Sequence, residues 1–339
     1  MEDHKGETIS RNIEICLREW GVDGIFILTV DNASSNGTTI KFLQTVTKDW
    51  KGTVLKHKFL HMRCCAHILN LIVGDGLKEI DASIARVREA MRYVKSSPNR
   101  NQIFRSFVER LGIESKCLLS LDVATRWNST YLMLDTAENF EKVFLRMDFE
   151  DDSYSSYFLN KENSGGLRSP CGVDFQNCRT FVGFLKLFYN ATKKFSGSLY
   201  VTSNTLFDKM FVNQENIAHL IKSQNHLLKN MATKMKAKFE KYWGKGDKIN
   251  QLLYVAVFLD PRKKMRFLKF SFLEIYRDEV DDEMVDLVRK TMDRLYDDYS
   301  RVDSPNVVVQ RESERTHMEV IQLVVVIYIQ WLIHDMSVF

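Results

Sequence analysis

Two short apolar runs, each followed directly by a helical pattern, lie near the start of the chain. The run "GIFILTVDN" ends in Asp31 and Asn32, and a helical stripe follows it. Because it is short, contains β-branched residues and begins with glycine, this run predicts a strand over 25–31. Residues 59–64 repeat the pattern, with a helix predicted over 66–73. Two strand-then-helix units in succession predict a small α/β or mixed sheet layer.

From about residue 81 onward, apolar residues recur at helical spacing. The stretch "IARVREAMRYVKSS" is amphipathic, and aromatic helical patterns follow at "TAENFEKVFLRM" and "CRTFVGFLKLFYNATKKF". Apolar residues three and four positions apart share one face of a helix. We therefore predict an α+β fold that is predominantly helical, with the sheet layer first and a large all-α body after it.

The pattern divides the chain into three parts. Residues 1–75 carry the predicted sheet, residues 76–300 are helical, and residues 301–339 show no motif that we can assign. Residues 150–172 are acidic and then rich in Ser, Asn and Gly, which predicts a loop or a disordered segment. The apolar stretch 320–333 is shorter than the roughly 20 residues that cross a bilayer, so we expect no membrane span.

The charge balance is only mildly basic, with 48 Lys and Arg against 44 Asp and Glu, a net charge of +4. Such a balance does not by itself indicate a nucleic-acid-binding protein, because the clustering of cations matters more than their sum. Six cysteines in 339 residues, without a hydrophobic leader after Met1, do not fit a secreted disulfide framework. We expect reduced thiols, in the cytosol or the nucleus.

The stretch "HMRCCAHILNL" is dense in cysteine and histidine, as metal sites are. A closed zinc site needs four ligands, normally two separated pairs, and the sequence shows no second pair at such spacing nearby. The spacing favours a structural role, in which Cys64 or Cys65 packs as a small apolar residue and His67 hydrogen-bonds to another element. We expect His67 to face Asp31, and no zinc to be bound.

Asp31 lies at the carboxyl end of the first predicted strand. A carboxylate on such a rigid base is a common magnesium ligand, because Mg²⁺ prefers oxygen donors. Asp followed by Asn is also a frequent turn or capping pair. The spacing alone leaves both interpretations open, with the turn favoured.

A cluster of positive charge lies in "MATKMKAKFEKYWGKGDK". At helical spacing its apolar residues share one face, and its lysines share another, which we name the lysine face: Lys234, Lys238, Lys241 and Lys245. One interpretation is a packed helix with a solvated face. The other is a ridge that neutralises DNA phosphates, because lysines one helical turn apart can reach successive phosphates.

Four motifs in a fixed order resemble the hAT transposase superfamily, and in particular its domesticated plant members. They are "LTVDNASSN", "MRCCAHILNLIV", "LDVATRWNSTYLML" and "AVFLDPRKKMRFL", and the resemblance covers roughly residues 5–300. It implies an RNase H-like core interrupted by a large helical insertion domain. In that family, two aspartates and one glutamate hold the divalent metal ions with which the enzyme cuts DNA.

The resemblance also implies roles for individual residues. Asp31 matches the second metal aspartate, and Cys64 with His67 matches a Cys-x-x-His motif near the active site. Arg126 and Trp127 match an Arg-Trp pair in the insertion domain, where the tryptophan is implicated in stacking on a base flipped out beside the transposon end. An indole face can hold such a base with about 1–3 kcal/mol, while an adjacent arginine holds the phosphate.

Departures from the family pattern shape the functional prediction. We find no counterpart of the first aspartate, of the C-terminal segment with the glutamate and the dimerisation helices, or of the N-terminal BED zinc finger. The Ser-Glu-Arg in "RESERTHMEV" lacks the residues that flank the family glutamate. Two-metal hydrolysis needs several converging oxygen ligands. We therefore expect a vestigial Asp31 that holds Mg²⁺ weakly if at all, no cofactor, no nuclease activity and, without dimerisation helices, a monomer.

The resulting hypothesis is a catalytically inactive, regulatory DNA-binding protein of the nucleus, derived from a hAT transposase. Its expected DNA contacts are Arg126, Trp127, the lysine face and, within "DPRKK", Arg262 and Lys263. Contacts of this kind position DNA without reading its sequence, so binding should be weak and strongly salt-dependent. The alternative is an active metal-dependent transposase or nuclease that cuts and joins DNA ends, with Mg²⁺ as its cofactor.

Overall fold

Helices make up most of the described chain. The computed structural model describes residues 6–50, 52–78, 81–115, 117–123, 126–196, 203–276, 281–302 and 326–328. The first helices are α1 (Gly6–Glu19), α2 (Ser34–Val46), α3 (Cys65–Leu77), α4 (Asp81–Lys95), α5 (Pro98–Arg110), α6 (Trp127–Glu138), α7 (Glu141–Glu150) and α8 (Asp152–Leu159). They are followed by α9 (Lys161–Ser164), α10 (Gly172–Phe195), α11 (Ser203–Ile221), α12 (His226–Trp243), α13 (Leu252–Leu259), α14 (Lys264–Tyr276) and α15 (Asp281–Val302). The predicted α+β fold, predominantly helical, is confirmed.

The described strands form one parallel sheet in the order β2-β1-β3. They are β1 (Ile27–Val30), β2 (His61–Arg63) and β3 (Val326–Tyr328). Leu28 of β1 is paired with His61 on one side and with Ile327 on the other. A central parallel strand that is covered on both faces has an almost continuous apolar sequence, as β1 does. The strands predicted near 25–31 and 59–64 are confirmed.

The described residues form two compact units, and the first contains the sheet. It comprises the described residues within Met1–Ile68, Val201–Asp208 and Tyr242–Phe339. Helices α1 and α2 pack together, and the Thr39 hydroxyl donates to the Gly6 carbonyl at 3.1 Å. The buried core around β1 consists of Leu17, Ile25, Leu28, Val30, Ile40, Leu43 and Leu60.

Direct contact between two backbone segments requires glycine at positions 24 and 52. A Cβ on Gly24 would collide with the backbone of Gly52, and one on Gly52 would lie 2.7 Å from the Gly24 Cα. The Gly52 amide also donates to the Asp23 carbonyl at 3.3 Å. The glycine pair therefore holds the segment before β1 against the segment that leads to β2.

A strained turn precedes β2. Leu55, Lys56 and His57 all have positive φ, at 47°, 51° and 62°, which costs a residue other than glycine about 1–2 kcal/mol. Two contacts hold the turn: the Thr47 hydroxyl lies 2.7 Å from His57 Nε2, and the Leu55 amide donates to an Asp298 carboxylate oxygen at 2.9 Å. The chain leaves this turn at Lys58, and β2 begins three positions later at His61.

The second unit is helical and has an aromatic core. It comprises the described residues within Leu69–Tyr200 and Lys209–Lys241. Helix α10 packs on α4 and α6, and α5 packs on α4 and α7. The Phe104 ring lies 5.3 Å, between centroids, from the rings of both Phe140 and Phe144. Edge and tilted aromatic contacts of this kind add to the burial of apolar area.

A buried carboxylate joins α4 to the start of α10. The Asp174 side chain is 1% exposed and pairs with Arg86 at 2.7 Å and Arg168 at 2.8 Å. It also accepts hydrogen bonds from the Ser83 hydroxyl at 2.9 Å and the Cys171 amide at 3.0 Å. Desolvation acts to raise the pKa of Asp174, but these partners outweigh it and lower the pKa to about 2.

The loop or disordered segment predicted over 150–172 is wrong for part of its length, because α8 and α9 lie within it. Asp151 caps α8 by accepting hydrogen bonds from two backbone amides. Tyr154 and Phe158, four residues apart, are both buried and anchor the helix. The polar composition of the segment hid this apolar pair.

The predicted domains and the compact units divide the chain differently. We predicted a sheet-bearing part over 1–75 and a helical part over 76–300, whereas residues beyond Tyr242 pack with the sheet. The Asn250 side chain, for example, donates to the carbonyls of Phe59 at 3.1 Å and His61 at 3.0 Å. Hydrogen-bonding partners almost 200 positions apart leave no local sign in the sequence.

The predicted tail, 301–339, lies outside the described residues except for 301–302 and 326–328. Most of the apolar stretch 320–333 falls there as well. Among the described helices, none combines the length and the apolar character that a membrane crossing needs.

Candidate functional site

The carboxyl end of β1 carries Asp31, which is half-buried. Its Oδ1 accepts hydrogen bonds from the Ala33 amide at 2.9 Å and from the Asn36 side chain at 2.6 Å. The same Asn36 amide group also donates to the Asp31 carbonyl at 3.3 Å. These bonds form a tight turn into α2. The sequence left two interpretations of Asp31 open, a turn residue and a magnesium ligand, and these bonds are those of the turn residue.

Cys64 lies next to Asp31, at the end of the neighbouring strand. Its amide donates to the Val30 carbonyl at 2.8 Å, and its carbonyl accepts from the Ile68 amide at 3.0 Å, so it links β1 to the start of α3. Burial raises the pKa of the Cys64 thiol. The amides of His67 and Ala66 oppose that rise, and the charge of Asp31 adds to it. A neutral, buried thiol thus lies beside the carboxylate.

His67 is half-buried in the first turn of α3. We expected it to face Asp31, but no hydrogen bond or ion pair between described residues joins the two side chains. Asp31 instead bonds to its own turn, and Cys64 is the neighbour whose pKa responds to its charge. In the described ranges no three His, Cys, Asp or Glu side chains form a group that could hold a metal ion. The absence of bound zinc stays a prediction.

The Arg-Trp pair lies at the start of α6. Arg126 is exposed and precedes the helix, whereas Trp127 is 4% exposed and is the first helical residue. The indole lines a cavity of about 360 Å³ together with Leu71 and Ile84. The resemblance implied a tryptophan that stacks on a base, but in this conformation packing inside the second unit leaves no open indole face.

A carboxylate that was not among the residues predicted from the sequence holds the segment before α6. Asp122 accepts two hydrogen bonds from the Arg88 guanidinium, both at 2.8 Å, and one from the Thr130 hydroxyl at 2.8 Å. Its side chain is 3% exposed. Desolvation opposes ionisation, but these bonds outweigh it and lower the pKa of Asp122. In the sequence, the position of Asp122 within the motif "LDVATRWNST" could have pointed to it.

Ser129 completes this arrangement. Its hydroxyl accepts from the Val123 amide at 2.8 Å and donates to the Arg126 carbonyl at 2.6 Å. The backbone of Arg126 is therefore fixed while its side chain is exposed. No ion pair to Arg126 is formed by any described residue, so its guanidinium is available to an anion.

The lysine face is not a continuous ridge. Helix α12 ends at Trp243, so Lys245 lies beyond it. Lys238 pairs with Asp75 of α3 at 2.8 Å, and its side chain is 24% exposed. Lys234 and Lys241 are exposed. The predicted shared helical face is wrong for Lys245, which lies beyond the helix, and Lys238 is engaged by a carboxylate. Contact of the four lysines with DNA stays a prediction.

The cations of "DPRKK" are also engaged. The Arg262 guanidinium donates to both oxygens of Asp260, at 2.9 and 2.7 Å, and holds the pKa of that carboxyl well below its usual range. Lys263 donates to an Asp208 carboxylate oxygen and to the Asn204 carbonyl, both at 2.6 Å, and is 12% exposed. The Arg262 side chain is nonetheless 72% exposed, and contact of these two residues with DNA stays a prediction.

Two segments of the chain match described families. Residues 62–171 match the ZBED1 RNase-like helical domain, and residues 204–299 match the hAT-like transposase with RNase-H fold. The chain is therefore similar to ZBED1 over the first segment and to hAT-like transposases over the second. This confirms the resemblance predicted from the four ordered motifs. In this hAT-like chain, the second matched segment includes α13 and α14, which lie in the same unit as the sheet.

Curated relatives match most of this hAT-like chain. Zinc finger BED domain-containing protein RICESLEEPER 2 of Oryza sativa subsp. japonica is 30% identical over 298 residues, 87% of this chain and 39% of the relative. The putative AC transposase of Zea mays is 29% identical over 88% of the chain and 35% of its own length. DAYSLEEPER of Arabidopsis thaliana is 25% identical over 88% and 41%. The chain therefore spans about two fifths of the length of these relatives.

Proposed function

We propose that this hAT-like chain is a catalytically inactive, regulatory DNA-binding protein that acts in the nucleus. The geometry at the end of β1 supports inactivity. Asp31 is engaged in its own turn, and its neighbour Cys64 is a buried thiol with a raised pKa. Two-metal hydrolysis needs several oxygen ligands that converge on both ions. In the part of the chain that the structure describes, Asp31 belongs to no group of three metal-binding side chains, and one carboxylate beside a neutral thiol supplies too few oxygen ligands for such chemistry.

The DNA-binding part of the proposal rests on Arg126. Its guanidinium is exposed, without an ion pair to any described residue, on a backbone fixed by Ser129. Lys234 and Lys241 add exposed positive charge in the same compact unit. The relatives are named as transposases and BED zinc finger proteins, which agrees with a DNA partner and with a nuclear location. Phosphate contacts of this kind position DNA without specifying its sequence.

A cleavage assay tests inactivity. We expect no cutting of labelled duplex DNA by the purified chain in millimolar Mg²⁺ or Mn²⁺. Asp31→Asn, which preserves the shape of the side chain, and Asp23→Asn, which removes an exposed carboxylate before β1, serve as paired controls. Metal-dependent cutting that disappears in Asp31→Asn but persists in Asp23→Asn would establish the alternative, an active transposase or nuclease.

Fluorescence anisotropy over a salt series tests DNA binding. We expect equal affinity for duplexes of unrelated sequence, and a log-log salt slope of about 0.9 for each phosphate neutralised. Arg126→Gln should lower that slope by about 0.9. The matched control is Arg179→Gln, because Arg179 is also exposed in the second unit but is paired with Glu138 and Glu141. Tight, sequence-selective binding that persists at high salt would contradict the proposal.

A further inference from the structure

A group of cations beside β2 differs from those that the sequence singled out. Lys238, Arg262 and Lys263 are all engaged by carboxylates. In contrast, no described carboxylate forms an ion pair with any of four residues that line one cavity of about 270 Å³: Lys58, His61, Arg63 and Lys248. We name this the basic cavity. It lies entirely within the first unit.

The walls of the basic cavity come from distant parts of the chain. Lys58 follows the strained turn, and Arg63 ends β2. Lys248 lies in the short 3₁₀ turn after α12. The Arg63 guanidinium lies over the ring of Tyr242, another lining residue, 5.8 Å from its centroid in a cation–π contact. The acidic residue of the lining is Asp247.

The charges in this region repel one another. Desolvation lowers the pKa of Lys58, and the charge of Arg294 lowers it further. Desolvation also lowers the pKa of His61, with Arg63 adding to the effect. Desolvation and these neighbouring charges therefore disfavour the charged forms of Lys58 and His61, so the imidazole is neutral near pH 7 and the cations of the cavity are Lys58, Arg63 and Lys248. An anion bound there would relieve the repulsion.

We propose that the basic cavity binds backbone phosphates of DNA. Arginine offers a planar fork of donors that fits phosphate oxygens, and lysine adds compact positive charges. The cavity is open to the surface, and a strand that passes over it can present phosphates to Arg63 and Lys248 without entering. The inference rests on the proposed DNA-binding function. Of the cavity's cations, Arg63 lies within one of the four family motifs, whereas Lys58 and Lys248 lie outside them.

The salt dependence of DNA binding tests this assignment. The double variant Arg63→Gln/Lys248→Gln should lower the log-log slope by about 1.8, which is two contacts at about 0.9 each. The control, Lys236→Gln/Lys269→Gln, also removes two charges, from side chains that are 55% and 51% exposed and paired with Glu240 and Asp282. The control slope should equal that of the wild type. Lys58→Gln alone, if the double variant unfolds, should lower the slope by about 0.9.

Each other result rejects the assignment in a distinguishable way. If the wild type binds DNA with the same log-log salt slope as the cavity variants, the basic cavity does not contact DNA, and the proposed function remains intact. A wild type that binds no DNA even at low salt overturns both. A third arm uses inorganic phosphate: if phosphate raises the melting temperature of a wild type that binds no DNA, and Arg63→Gln abolishes the effect, the cavity binds a free anion instead of DNA.

Discussion

At the scale of the residue, Asp122 holds the segment that presents Arg126. Asp122→Ala would remove three hydrogen bonds and leave the Arg88 guanidinium, 24% exposed, without this partner. We expect the free energy of unfolding to fall by about 2–3 kcal/mol, because hydrogen bonds to a charged, buried group are lost. Urea denaturation measures the change. Glu114→Ala, an exposed carboxylate in the same loop, should change the stability by less than about 0.5 kcal/mol.

Asp174 makes stability depend on pH in the acid range. Its pKa is about 2 in the folded state against an ordinary value of 3.8. The unfolded chain thus binds the proton first, and the stabilisation is present above pH 3.8 and lost as the pH falls toward 2. This shift corresponds to roughly 2 kcal/mol. Denaturation midpoints of the wild type and Asp174→Asn should converge over that range, and a constant difference between them would contradict the assignment.

At the scale of the element, two glycines of α3 should respond in opposite directions to the same change. A Cβ on Gly76 would lie 2.6 Å from Met235 Cγ of α12, whereas one on Gly74 would meet no atom within 4 Å. Gly74→Ala should stabilise the protein by about 0.5–1 kcal/mol, through reduced freedom of the unfolded chain. Gly76→Ala should be destabilising, because overpacking typically costs about 1–3 kcal/mol. Thermal melts of both variants show whether α3 and α12 are in close contact.

At the scale of the whole molecule, Asn250 links segments that are far apart in sequence. Its side chain donates to two carbonyls in the segment 59–61. Asn250→Ala should lower the free energy of unfolding by about 1–3 kcal/mol, because it leaves those carbonyls without these donors. Hydrogen exchange should also accelerate at the amides of β2 that pair with β1. Asn163→Ala, at an exposed position, is the control, and equal effects of the two variants would count against the link.

The sequence was informative where structure depends on local pattern. The strands near 25–31 and 59–64 follow from apolar runs, and Asp31 lies at a strand end as expected. Pairing between distant residues left no such pattern: Lys238 meets a carboxylate of α3, and Lys263 meets one of α11. The basic cavity escaped prediction for the same reason, since its cations come from two regions almost 200 residues apart.

The position of Asn250 has a further consequence for the behaviour of the protein in solution. Within the described sheet β2 is an edge strand, and an edge strand with open backbone groups is a template for pairing with another chain. The Asn250 amide group occupies carbonyls at and next to that edge. These bonds leave the edge with fewer open acceptors, so we expect Asn250→Ala to show light scattering that rises with protein concentration before the fold itself is lost.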